Sequence, residues 1–112
     1  MLTIKLEMKG KSIGEIERGL PGLLEKVLDK ATFDIEAGAE DRTVRVDTSA
    51  MKAGWQTKKL ERYVRKVFNT QDYAIHHEFG TVHMSATPML IPAAEDVAKV
   101  LPEVARQMVE RL

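Results

Sequence analysis

The sequence predicts an α+β domain: a long N-terminal amphipathic helix and a C-terminal helix packed on a small, mainly antiparallel sheet. Three observations carry this. Leu2, Ile4, Leu6 and Met8 alternate with Thr3, Lys5 and Glu7, the period of a strand with one buried face. Apolar residues recur at threes and fours from Ile13 to Ile35 and again from Ala94 to Leu112, giving two helical stripes. Between them, Trp55–Leu60 and Arg62–Phe68 read as two short strands. There Leu60, Val64, Val67 and Phe68 also have helical spacing, so one helix through this segment stays open.

The elements follow in order. Gly10 and Lys11 close the first strand, and Ser12 with Glu15 three residues on has the spacing of a capping box. Gly19 and Pro21 interrupt the first stripe, which predicts a short helical run, a bend, and a main helix from Pro21 to about Ala39. Short polar residues then take over, and Asp47, Thr48 and Ser49 favour a turn or a one-turn cap. In the second central strand, Tyr63, Arg65 and Val67 alternate with Val64, Lys66 and Phe68, so either face can be the inner one. From Tyr73 to Pro92 the chain reads as a short amphipathic turn, a break at Gly80, an extended arm and a helix start near Pro92. Glu78 sits in an apolar setting beside Ile75 and Phe79, which suits a carboxylate only where a partner or exposed backbone amides await it. Pro102, inside the last stripe, is expected to kink or restart that helix.

A length of 112 residues predicts one domain, residues 1–112, with ~65% of the unfolded surface buried on folding. Hydrophobic residues at 44% and charged residues at 30% describe an ordinary globular chain. There is no cysteine, hence no disulfide framework or thiol chemistry. No apolar run approaches the ~18 residues of a membrane span, and MLTIKLEMKGK lacks a signal-peptide core. Seventeen basic and seventeen acidic residues cancel overall, but residues 42–72 carry eight bases against three acids, a net +5.

Tyr73-Ala74, Glu78-Phe79-Gly80-Thr81, Pro88 and Pro92-Ala93 form the pattern Y-A-x-x-x-E-x-G-T followed by P-hydrophobic-x-x-P-A. With Met84 in the arm, this resembles the small head–tail joining proteins of long-tailed phages, neck, tail-completion or minor tail components. Val46-Asp47-Thr48-Ser49-Ala50-Met51 resembles the same family's V-D-T-G-x-L segment, with Ser49 in place of the usual Gly and Arg45 where Pro is frequent. With the long helix, the resemblance covers most of the chain. It implies a sheet at residues 55–68 and a non-catalytic virion-assembly protein of a phage or prophage, made in the host bacterial cytoplasm. It also implies an oligomeric ring, with connector or stopper and tail-tube or tail-terminator proteins as partners. The motif residues Asp47, Thr48, Tyr73, Ala74, Glu78, Phe79, Gly80, Thr81, Pro88 and Pro92 are expected to shape the fold. The apolar arm residues Val82, Met84, Met89, Leu90 and Ile91 are expected to dock on a neighbouring subunit.

No catalytic, cofactor or metal site is expected. His76, His77 and His83 lie near Glu78, but HHEFGT lacks the second His of H-E-x-x-H. Ser49 and Ser85 have no nucleophile elbow or Gly-rich loop beside them. The basic segment, with Arg45, Lys58, Lys59, Arg62, Arg65 and Lys66, is either a solvated face or a surface for something anionic. An anionic occupant is an acidic neighbour subunit or DNA held non-specifically. Trp55 and Tyr63 interleave with those bases as a single-strand platform requires. The alternative function is therefore a small nucleic-acid-binding module using residues 42–72. Neither a membrane nor a small-molecule substrate is expected.

Overall fold

The computed structural model describes residues 2–10, 18–43 and 49–111. The elements are β1 (Thr3–Glu7), α1 (Leu23–Thr43), α2 (Ser49–Ala53), β2 (Trp55–Glu61), β3 (Val64–Asn69), α3 (Ala74–Phe79) and α4 (Leu90–Glu110). The architecture is α+β, with helices packed on a three-stranded antiparallel sheet of order β1-β3-β2. The capping box at Ser12 and Glu15, the apolar Ile13 and Ile16, and Arg45, Asp47 and Thr48 lie outside the described residues.

Residues 55–69 form a hairpin, and the helical alternative is overturned. β3 is the central strand and exchanges backbone hydrogen bonds with both β1 and β2, so a helix here would forfeit two ladders. The register sets Ile4 opposite Val67 and Val67 opposite Thr57. The inner face of β3 is therefore Arg65, Val67 and Asn69, all buried. β2 carries an irregularity between Lys59 and Glu61. The turn after it contains no glycine. Instead the buried Arg65 side chain reaches back and donates from Nη1 to the carbonyls of Glu61 and Arg62, each at 2.9 Å.

α1 begins at Leu23 rather than Pro21, because Gly22 has φ +79°, outside the right-handed helical region. It also runs one turn beyond the expected end at Ala39. Thr43, fully buried, donates to the Ala39 carbonyl at 2.7 Å and accepts the Trp55 indole N–H at 2.7 Å, so the extra turn is tied into the core.

α1 and α4 pack antiparallel. At one end a Cβ on Gly38 would lie 3.1 Å from Ala93 Cβ, and Arg42 pairs with Asp96 at 2.5 Å. At the other end Leu23 and Lys26 line a cleft with Met108 and Arg111. The core gathers Leu2, Ile35, Met51, Trp55, Val67, Met89 and Leu90. α4 runs through Pro102 without restarting, and the proline sits on an exposed turn. No helix among the described residues is long and apolar enough to cross a membrane.

A radius of gyration of 15.7 Å and extents of 52 × 23 × 22 Å describe an elongated body. A compact chain of this length would have a radius of about 13 Å. Beyond Ala93, α4 buries no residue fully: Val97, Leu101, Val104 and Met108 stay half-buried, and Val100 and Val109 are exposed.

Candidate docking loop and its carboxylate anchor

Glu78, in the last turn of α3, is 1% exposed. Its Oε1 accepts the backbone N–H of Met89 (2.9 Å) and Leu90 (2.8 Å), and its Oε2 accepts that of Ile91 (3.0 Å). These are among the N–H groups that the start of a helix leaves without an intrahelical acceptor. Met89, at the cap position, makes no side-chain capping bond to the helix. A carboxylate from a different helix therefore caps α4, and its charge faces the positive end of the helix dipole. Pro92, third in α4, lacks an N–H where none is needed.

Between Glu78 and Met89 the chain makes a closed loop rather than the extended arm expected. Gly80 has φ +76°, and a Cβ there would meet Ala86 N at 2.8 Å and Met84 O at 2.9 Å. Thr81 and Met84 exchange backbone hydrogen bonds around a tight turn, and Thr87 N–H returns to the His77 carbonyl at 2.7 Å. His83 N–H also reaches Thr81 Oγ1 at 3.2 Å. The turn projects Val82, 96% exposed, and Phe79 at the base of the loop is 60% exposed. Ile75 and Tyr73 are exposed nearby, and the Tyr73 ring meets His77 edge-on at 6.2 Å.

The interface residues named from sequence divide. Val82 is solvent-facing, Ile91 is partly so, and Met84 is half-buried. Met89 and Leu90, at 0% and 1% exposure, are corrected: they belong to the chain's own core, since the Glu78 cap pulls the start of α4 inward. Ala74 is likewise buried, while Pro88 is exposed.

The basic segment divides too. Glu25 of α1 receives Lys59 at 3.1 Å and Arg62 at 3.3 Å, and Arg65 Nε donates to Asp29 at 2.7 Å. Hydrogen bonding from Lys59, joined by its charge and that of Arg62, holds the Glu25 carboxyl below its ordinary value. Arg65, 3% exposed, is a structural cation rather than a surface one. Trp55 is buried as well, so it is no stacking platform. Lys58 and Lys66 keep an outward position.

His76 and His83 are exposed and His77 half-buried. Among the described residues, no three His, Asp or Glu side chains converge as a metal would require. Sequence reasoning missed Asn69. Its Nδ2 donates to the Met51 carbonyl at 2.8 Å and its Oδ1 accepts Gln71 N–H at 2.8 Å, locking α2 to the end of β3. Its only sequence signal is a polar residue in phase with Arg65 and Val67. Comparison with protein-family models, with curated proteins and with solved structures found no match.

Proposed function

We propose that this chain is a non-catalytic structural subunit of a long-tailed phage or prophage, placed at the head–tail junction or tail end. It works there as an oligomeric ring in neck or tail completion, and its partners are connector or stopper and tail-tube or tail-terminator proteins. One observation carries the reading beyond the sequence resemblance: Val82 stands 96% exposed at the tip of a loop fixed by hydrogen bonds at its base. An apolar tip on a rigid loop loses little entropy on docking, so it binds a neighbour at low cost. Phe79 extends the same patch. Glu78, the sole buried carboxylate among the described residues, is engaged by three backbone N–H groups and serves geometry rather than proton transfer.

The test is the double variant Phe79→Asp, Val82→Asp in a phage-bearing host. Both side chains are exposed, so circular dichroism and the melting temperature should match wild type. Burying unpaired charge at a subunit contact is costly. The expected result is DNA-filled heads with separate tails, or tails with faulty ends. Normal infectious particles from the folded double variant, or from a deletion of the gene, would overturn the reading.

A further inference from the structure

Strand pairing sets three lysines side by side across the whole sheet. Lys66 in the central strand is opposite Lys5 on one side and opposite Lys58 on the other. They share the face turned away from α1, because the alternate positions Arg65 and Lys59 reach Asp29 and Glu25 on that helix. Lys5 and Lys58 are exposed. Lys66 is half-buried, and its ammonium lies 4.5 Å from the centroid of the Phe68 ring, which holds it over the middle strand. Among the described residues, none of the three has a carboxylate within ion-pair distance. The nearest acids in register, Glu7 and Glu61, sit at one end of the sheet opposite Val64, and Glu7 is met by Lys9 at 3.5 Å.

Neighbouring strands lie about 4.8 Å apart, so the three backbone positions fall within about 10 Å. Like charges directly opposite one another destabilise a sheet. The row thus costs the isolated chain stability and finds no internal counter-charge, which makes it complementary to an external array of anions. We infer that this face binds nucleic acid through its phosphate backbone, without reading sequence. Among the other outward residues Thr3 and Gln56 are polar, Phe68 is partly covered by Lys66, and Val64, opposite Glu7 and Glu61, is buried. The face therefore lacks the apolar centre of a protein–protein interface, whereas nucleic-acid interfaces are polar and strongly positive. This inference rests on the sheet face and is independent of the docking loop.

Fluorescence anisotropy of the full chain with fluorescein-labelled duplex and single-stranded oligonucleotides of mixed sequence tests it. Three phosphate contacts per chain give a log–log salt slope of about −2.7 on duplex and about −2.1 on single strand. Duplex affinity should then fall about 40-fold between 50 and 200 mM salt. Lys5→Gln, Lys58→Gln and Lys66→Gln together should abolish binding while the melting temperature holds or rises. Lys58→Gln alone should flatten the duplex slope by about 0.9. Lys59→Gln with Arg62→Gln should leave the slope unchanged. Absence of binding by wild type, or a wild-type slope in the triple variant, would overturn the inference. Equal competition by polyglutamate at matched charge would overturn it in favour of an acidic protein partner.

Discussion

Glu78 shows how much a single residue in this fold carries. Replacing it with Ala strips the acceptor from three N–H groups at a buried helix start, a loss of ~1–3 kcal/mol. Glu78→Gln keeps one oxygen for the Met89 and Leu90 N–H pair, though its amide nitrogen then faces Ile91 N–H, so it should be the milder change. Thermal melts in which both variants equal wild type would remove the anchoring role. Glu36 on α1 gives a pH signature. Burial first, and the nearby Glu40 charge second, push its carboxyl above the ordinary value of 4.5. Because the folded value is the higher one, its favourable contribution is complete at low pH and is lost as pH rises through that value. Glu36→Gln should therefore raise the melting temperature at pH 7 and change it little at pH 4; equal melts at pH 7 would contradict this. The need of Glu78 for a partner or for backbone amides was legible in the sequence, because an acid set with Ile75 and Phe79 just ahead of Gly80 has few other resolutions. The identity of those amides was not, since they lie eleven to thirteen residues on.

At the scale of elements, the β2–β3 hairpin depends on Arg65 more than on its turn residues. The guanidinium satisfies the Glu61 and Arg62 carbonyls while pairing with Asp29. Arg65→Met should cost ~1–3 kcal/mol by leaving those carbonyls short of donors. Arg65→Lys should recover little, since one ammonium cannot reproduce the fork. A chemical-denaturation midpoint unchanged in both would argue against the role. The helical and strand periods coincide over KKLERYVRKVF, so local pattern could not choose between them. What decides is non-local: β3 gains a partner on each side, one of them β1. The inner face was equally hidden, because it puts an arginine inside and a phenylalanine outside. β1 and the two amphipathic helices were legible because alternation or helical spacing in them has one reading. The extra turn of α1 was not, being fixed by the contact of Thr43 with Trp55 across the core.

For the whole molecule, the sheet is built against its own electrostatics. Lys58→Glu would replace one like-charged cross-strand neighbour of Lys66 with an opposite one, leaving the Lys66–Phe68 contact in place. It should stabilise the isolated chain by about 0.2–1 kcal/mol. An unchanged or lower melting temperature at low salt would show that the row carries no strain. The elongated shape has its own basis: α4 covers α1 along its length, out to the end where Leu23 and Lys26 line a cleft with Met108 and Arg111. Val97, Leu101, Val104 and Met108 are left half-covered along it.

The strand order has a further consequence in time. β1 pairs with β3, so Glu7 waits for Val64 and Thr3 for Phe68, about 60 residues later in synthesis. At ~5–20 residues per second, β1 is present for roughly 3–12 s before its partner strand is made. α1, whose hydrogen bonds are all local, can form well inside that interval. Through those seconds Ile4 and Leu6 have an apolar strand face and no ladder, the condition in which nascent chains pair with one another. Lys5 between them places a charge at the centre of that lone strand, a residue type that discourages edge-to-edge association. The same lysine that strains the finished sheet thus guards the chain while the sheet is still incomplete.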